Sequence, residues 1–320
     1  MGMSTPQHKI GSGFGHGTKA DEVLAGIDLT GKLALVTGGY SGIGIETTRA
    51  LAKAGAQVVV PARRPDAARE ALSDVAGVEV GELDLADLAS VESFASDFLA
   101  SGRPIDIQIN NAAVMANPET RVGPGWESQF ATNHLGHYAL TNRLWPALAA
   151  DGGARVVALS SSGHRRSDIR WDDPQFTRGY EKWAAYGQAK TANSLFAVQL
   201  DALGKDSGVR AFAVHPGGIL TPLQRHLQRE EMVGFGWIDE EGNPARPDLF
   251  KTPEGGASTS VWAATSPQLD GQGGVFCEDC EIAELSTDDA PGVRPYAVDP
   301  ASAARLWTLS AELTGVNAFQ

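Results

Sequence analysis

Tyr186 and Lys190 stand four residues apart in Tyr186-Gly187-Gln188-Ala189-Lys190, inside a stretch whose apolar spacing is helical over 183–203. That spacing puts both side chains on one helix face, about a turn apart. A phenol of ordinary pKa about 10 is a poor acid–base group at neutral pH, and a neighbouring ammonium favours the phenolate and draws that value down. The pair can then pass a proton to or from a carbonyl or alcohol oxygen. The other four tyrosines, Tyr40, Tyr138, Tyr180 and Tyr296, are followed four residues on by Gly44, Asn142, Ala184 and Pro300, so no other tyrosine has this partner.

A second group of residues can hold a phosphate. The apolar run 34–37 reads as a buried strand, and Gly38, Gly42 and Gly44 then lead into a helical pattern from Ile45 towards Gly55. A turn of this kind needs glycine so that the backbone can bend tightly and approach a ligand closely. The helix start offers unpaired N–H groups and a positive dipole end to a pyrophosphate. Tyr40, Ser41 and Ile43 fill the turn between the glycines. At the end of the next strand an acidic residue would take a ribose 2′-hydroxyl and repel a 2′-phosphate. Here that place holds Val60-Pro61-Ala62-Arg63-Arg64, with no carboxylate until Asp66. A guanidinium pairs with phosphate, so Arg63 favours NADP(H) while leaving NAD(H) possible.

The elements that must position these residues alternate. Strands are expected over 34–37, 57–60, 78–83, 105–109, 154–159, 209–214 and 274–277. Between them lie helical patterns: a short one over 19–26, one opened by Pro65, one over 87–99, a long helix carrying Phe130, Asn133, His137 and Leu140, and one over 253–265. This rhythm predicts βαβ units, hence an α/β fold: a doubly wound parallel sheet, Rossmann-like, of about seven strands in a single domain. Ligands then bind at the carboxyl ends of the strands. Residues 1–17 read as a flexible N-terminal arm ahead of a domain spanning 18–320, with 163–179 polar and turn-rich and 221–250 irregular.

Composition narrows the partners. The chain has 320 residues, 42% of them hydrophobic and 20% charged, which places it among globular proteins. A net charge of −13 repels nucleic acid and anionic membrane, so neither is expected as a partner. No apolar run is long enough for a membrane span, and the first residues lack the pattern of a signal peptide, so a cytoplasmic address is expected. Cys277 and Cys280 form a lone C-x-x-C among acidic residues, read as ordinary buried or edge thiols; no metal is expected.

The turn Thr37-Gly38-Gly39-Tyr40-Ser41-Gly42-Ile43-Gly44, together with Tyr186-x-x-x-Lys190, resembles the short-chain dehydrogenases/reductases. The resemblance implies further roles. In Val157-Ala158-Leu159-Ser160-Ser161 the second serine, Ser161, would hydrogen-bond the substrate oxygen, and Asn133 in Thr132-Asn133-His134-Leu135-Gly136 would complete a catalytic tetrad by holding a water against Lys190. Asp84 and Leu85 match the pair beside the adenine. Asn111 and Ala112 belong to Asn110-Asn111-Ala112-Ala113, with Ala113 where the family has glycine. Pro216, Gly217, Ile219 and Thr221 match the segment that touches the nicotinamide carboxamide. Tyr186 and Lys190 would also meet the cofactor, Lys190 at the ribose.

Ser161 and Tyr186 lie 25 residues apart, and the inserted segment carries His164-Arg165-Arg166 and Trp171-Asp172-Asp173. With His215-Pro216-Gly217, Glu278-Asp279-Cys280 and the closing Leu313-Thr314-Gly315, this is similar to the retinol dehydrogenases and the catalytic domain of WW-domain-containing oxidoreductases, without a WW module. The family places a substrate lid at about 220–250. Its Met232, Val233, Phe235, Trp237 and Ile238 suit a bulky lipophilic ligand, or a lid packed on its own core. Arg165, Arg166 and Arg170 form either an anion subsite or a solvated loop, and His164 and His215 read as structural or pocket-lining. The resemblance implies hydride transfer between NADP(H) or NAD(H) and a small-molecule ketone, aldehyde or secondary alcohol, by a homodimer or homotetramer assembled through the long helices. Two alternatives stay open: a double-bond reductase on the same fold, and a non-enzymatic NADP(H)-binding sensor or scaffold.

Overall fold

Alternate residues of each central strand face opposite layers of helices, and this period of two organises the molecule. The computed structural model describes residues 5–246, 248, 250–288 and 290–319. In β1 (Leu33–Val36), Leu33 and Leu35 enter one core while Ala34 and Val36 enter the other. In β7 (Arg155–Leu159), Val156 and Ala158 divide in the same way from Val157 and Leu159. Strands buried on both faces have to be apolar throughout, which is why these segments read as continuous hydrophobic runs.

The other strands are β2 (Gln57–Ala62), β3 (Val78–Glu82), β4 (Ile107–Asn110), the short hairpin β5 (Arg121–Val122) and β6 (Trp126–Glu127), β8 (Arg210–His215), β9 (Val275–Glu278) and β10 (Glu281–Ile282). The main sheet runs β10-β9-β8-β7-β4-β1-β2-β3. Every neighbouring pair in it is parallel except β9 with β10. The seven expected strands are present, and the antiparallel β10 makes an eighth. Strand order reverses between β1 and β4, so a crevice opens above their carboxyl ends.

The helices are α1 (Ala20–Val23), α2 (Ile43–Lys53), α3 (Pro65–Ala71), α4 (Leu88–Ala100), α5 (Ser128–Phe130), α6 (Gly136–Arg143), α7 (Trp145–Leu148), α8 (Lys182–Gly204), α9 (Arg229–Gly234), α10 (Pro253–Thr265) and α11 (Pro300–Thr314). One layer holds α1, α2 and α10; the other holds α4, α6, α8 and α11.

Several expectations are corrected. The helix expected over 19–26 is a single turn, α1. The long helix around Asn133 is interrupted: a π turn, Ala131–Leu135, separates α5 from α6. The segment 221–250 is not wholly irregular, since it contains a 3₁₀ turn (Pro222–Gln224) and α9; its Pro247 and Leu249 lie outside the described residues.

The arm, read as flexible, is tied down from Thr5 onward, residues 1–4 lying outside the described ones. Gln7 takes the N–H of Phe276 and donates to the carbonyls of Phe276 and Ala283, and the Glu281 carboxylate accepts the N–H groups of Ile10, Gly11 and Ser12. These bonds occupy backbone groups beside the last strands, an edge that would otherwise invite another chain.

Helix α11 also bears on assembly. Its Ala303 and Leu306 cover Phe130, Ala131 and Leu135 together with Ala192 and Leu195 of α8. Trp307 stacks on Phe196, centroids 5.7 Å apart. Those faces of the long helices are therefore covered by the chain itself.

Candidate active site

The glycine turn is shaped by contacts that exclude side chains. Gly38 and Gly42 have φ of 63° and 56°, in the left-handed region. A Cβ on Gly44 would lie 2.3 Å from the carbonyl oxygen of Gly38 and 2.6 Å from Asn111 Nδ2. Helix α2 can therefore start hard against the strand end. Its N-cap, Gly42, supplies no side-chain acceptor, so the first-turn N–H groups have no side-chain cap, Gly44 N bonding the Ser41 carbonyl at 3.0 Å.

Below the turn lies a buried network. Thr37 Oγ1 accepts the N–H groups of Asn111 (2.9 Å) and Ala112 (3.0 Å) and sits 2.8 Å from His137 Nε2. His137 Nδ1 is 2.9 Å from the Asn133 carbonyl, which can only accept, so Nδ1 carries the proton and Nε2 takes the threonine hydroxyl hydrogen. Burial lowers His137 to about 4 and keeps it neutral. Asn111 Nδ2 adds donations to the carbonyls of Thr37 and Gly38.

Tyr186 and Lys190 lie on α8 over the end of β7, and both are buried. Lys190 Nζ donates to the Leu159 carbonyl at 2.8 Å and lies 5.6 Å from the centroid of the Tyr186 ring. A Cβ on Gly163 would come within 2.7 Å of Tyr186 Cε1, so glycine there lets the loop press on the ring and fix it. Ser161 is braced on three sides. Its Oγ accepts from Gly163 N at 3.0 Å, its carbonyl accepts from His164 Nδ1 at 2.6 Å, and the next amide, of Ser162, donates to His215 Nδ1 at 3.2 Å. His164 Nε2 accepts in turn from Arg294 N. Burial lowers His164 to about 4 and His215 to about 3, so both are neutral braces.

The expected direction of the tyrosine shift is corrected. Burial dominates and pushes Tyr186 up to about 12, with only the Ser161 hydroxyl pulling the other way. Burial also brings Lys190 down to about 7. Both groups resist charge in a dry site, which outweighs the through-space pull read from their spacing.

A cleft of about 650 Å³ runs from Arg63 and Arg64 to Tyr186. Its walls include Gly38, Tyr40, Ser41, Gly42, Ile43, Asp84, Leu85, Asn111, Ala112, Ser161, Lys190, Pro216, Gly217, Ile219 and Thr221. Two expected site residues stand outside this lining. Gly44 acts from beneath, by its missing side chain. Asn133 turns its amide to Val114, Oδ1 accepting from Val114 N at 2.8 Å and Nδ2 donating to Val114 O at 2.9 Å. The Asn133 amide thus pins the cleft wall at Val114. A second hollow, of about 450 Å³, lies at the opposite ends of the strands, where its charges Lys32 and Arg155 are paired with Asp106 and Asp270.

Three contributors have no signal in the motifs. Lys251, its side chain 1% exposed, runs beneath Gly217 (φ 100°) and places Nζ 2.6 Å from Asp279 Oδ1, supporting the loop after β8. Glu231 on α9 accepts from Trp183 Nε1 at 2.9 Å and Lys182 Nζ at 2.6 Å, strapping the segment 221–250 to the start of α8. Arg225 joins Arg63 and Arg64 at the far end of the cleft. Of the basic cluster in the inserted segment, Arg170 approaches Asp173 at 3.6 Å, Arg165 bonds the Gly292 carbonyl, and Arg166 lies over the rings of Trp183 and Phe235. Cys277 and Cys280 are buried free thiols.

A cradle that side chains would fill, an uncapped helix start and a long cleft ending at a tyrosine and a lysine suit a dinucleotide. The short chain dehydrogenase family model matches residues 32–232. A probable oxidoreductase of Streptomyces lividans is 45% identical over 89% of this chain and 98% of its own length. Retinol dehydrogenase 11 of Mus musculus is 36% identical over 91% and 88%. The solved structure of an uncharacterized protein from Mycobacterium paratuberculosis superposes with a TM-score of 0.73 at 33% identity, covering 95% of this chain and 99% of the other. The chain belongs to the short-chain dehydrogenase/reductase family, in the company of the retinol dehydrogenases, and is an NAD(P)-dependent oxidoreductase. Among the described residues no helix is long and apolar enough to cross a membrane.

Proposed function

We propose that this protein transfers a hydride between NADP(H), in preference to NAD(H), and a bulky lipophilic ketone, aldehyde or secondary alcohol. The observation that carries the reading is the cleft itself. It brings Tyr186, Lys190 and Ser161 to one end of a dinucleotide-sized channel, beside the apolar walls of Val114, Met115, Leu223, Trp237 and Phe250. The nicotinamide supplies the hydride chemistry. Tyr186 gives its phenolic proton to the carbonyl oxygen or recovers it from the alcohol, Ser161 orients that oxygen, and Lys190 would hold the ribose and the relay. Asn133 supports the site through the Val114 backbone. With Tyr186 held near 12, the phenol is protonated at neutral pH, which suits the acid's part in carbonyl reduction.

The first two arginines of the cleft's far end support the phosphorylated cofactor, and a cytoplasmic setting agrees with it. For assembly, α11 covers the helix faces through which a dimer or tetramer was expected, so we propose that the chain does not associate there.

The test is Tyr186→Phe, with NADPH oxidation followed by absorbance across a panel of carbonyl compounds. Turnover is expected to fall by about 10²–10⁴-fold, with NADPH binding by fluorescence retained. Full turnover in the variant refutes the assignment. Product analysis separates carbonyl reduction from saturation of a carbon–carbon double bond.

A further inference from the structure

Three guanidiniums line one end of the cleft in a chain of net charge −13. Arg63 and Arg64 follow β2, while Arg225 comes from the other wall, just after the 3₁₀ turn Pro222–Gln224 that opens the lid. Among the described residues none of the three has a carboxylate partner. The nearest acid in sequence, Asp66, is paired with Arg69 at 2.7 Å. Among the described residues the Arg225 guanidinium makes a single hydrogen bond, Nη1 to the Pro222 carbonyl at 3.1 Å. Burial, and the facing charges of Arg63 and Arg64, lower its pKa. Like charges converging without a counter-charge are unfavourable unless an anion joins them.

Arg225 does not hang from a loose loop. Gln224 Oε1 accepts from Thr221 N at 2.8 Å, and Gln224 Nε2 donates to the Ile219 carbonyl at 2.8 Å. Thr221 Oγ1 accepts from Leu223 N. Thr221 also roofs the glycine turn, its Cβ 3.4 Å from where a Cβ on Gly42 would lie. The same short segment reaches the chemical end: Leu223 and Leu227 pack with Met115, Trp183 and Tyr186, and with Met232 and Trp237 of the lid. One braced turn thus carries a cation at one end and the roof of the substrate site at the other.

Resting on the NADP(H) reading above, we propose that Arg225 closes a three-guanidinium clamp with Arg63 and Arg64 on the ribose 2′-phosphate, so that the phosphate holds the lid down over the substrate site. Cofactor identity and lid closure are then one equilibrium. NADPH binds first and orders the roof. NADH, lacking the phosphate, occupies the cleft beneath a looser lid.

The experiment measures dissociation constants of NADPH and NADH by fluorescence titration for the wild type, Arg63→Gln, Arg225→Gln and Arg225→Lys. Chymotryptic cleavage at the lid, where Phe235 is 40% exposed, is measured alongside with adenosine 2′,5′-bisphosphate or 5′-AMP as the added probe. Arg225→Gln is expected to weaken NADPH about tenfold, the scale of one charge-assisted pair, and to leave NADH within twofold, which also reports that the variant is folded. Arg225→Lys falls between. The bisphosphate slows cleavage of the wild type but not of Arg225→Gln, and 5′-AMP slows neither. Unchanged NADPH affinity in Arg225→Gln, or cleavage indifferent to the bisphosphate, overturns the clamp. If the wild type prefers NADPH and only Arg63→Gln removes that preference, the lid's part fails while the cofactor reading stands. A wild type that binds NADH as tightly as NADPH overturns both.

Discussion

Replacing Thr37 by valine keeps the side chain's shape and removes its hydroxyl from the centre of the buried network. Two groups then lose a partner. The Ala112 N–H, 3.0 Å from Oγ1, has no other acceptor among the described residues, and His137 Nε2, 2.8 Å away, loses the hydrogen it accepts. The Asn111 N–H is spared, because the Ile109 carbonyl also stands at 3.0 Å. Leaving a buried polar group unpaired costs about 1–3 kcal/mol, so the two together come to about 2–6 kcal/mol, set against a total stability of about 5–15 kcal/mol. Thr37→Ser is the control: it keeps the hydroxyl and loses one methyl, about 1 kcal/mol. Urea unfolding followed by tryptophan fluorescence reads both variants as midpoint shifts at constant slope. The reasoning fails if valine costs under about 1 kcal/mol, or if serine is as damaging as valine. Dinucleotide affinity should drop with valine too, since the same strand end carries the carbonyls that Asn111 Nδ2 holds.

Two further outcomes are expected. His134, His137, His164 and His215 are lowered to about 3, 4, 4 and 3, chiefly by burial. Unfolded, each would protonate near 6.5. Between that pH and the folded values the unfolded chain binds more protons, so stability is full above about pH 6.5 and falls below it by about 1.4 kcal/mol per histidine per pH unit. Urea midpoints at pH 7 and pH 5 measure this, and equal midpoints would contradict the buried neutral rings. In light scattering coupled to size exclusion the chain should not assemble through α6 and α8. A dimer that survives mutation of every other exposed face would show that α11 had moved aside.

Much of the architecture was legible because it rests on local pattern. Strand and helix alternate in the sequence as they do in space, and the glycines at 38, 42 and 44 mark a turn that no other residue fits. What escaped is long-range. The phenol's shift comes from burial that only the packed loop at Gly163 and its surroundings supplies, so spacing on one helix gave the wrong sign. The Asn133 amide holds the Val114 backbone of another element, a tertiary contact that its motif does not announce. Lys251 and Arg225 sit in a stretch without periodicity and reach the cleft through tertiary contacts alone. The hairpin β5–β6 could have been anticipated from Val122-Gly123-Pro124-Gly125-Trp126, whose turn chemistry is plain once sought.

The position of α11 has a consequence for how the molecule is made. His134, in the π turn that presents Asn133, lies 2.7 Å from Ser310 of that last helix. Ser310 is synthesised only after all the candidate catalytic side chains, Asn133, Ser161, Tyr186 and Lys190. Helix α11 covers Ala192 and Leu195 of α8, which would lie bare without it. One wall of the cleft is therefore completed by residues far apart in the sequence, and loss of α11 would reach Val114 through His134 and the π turn.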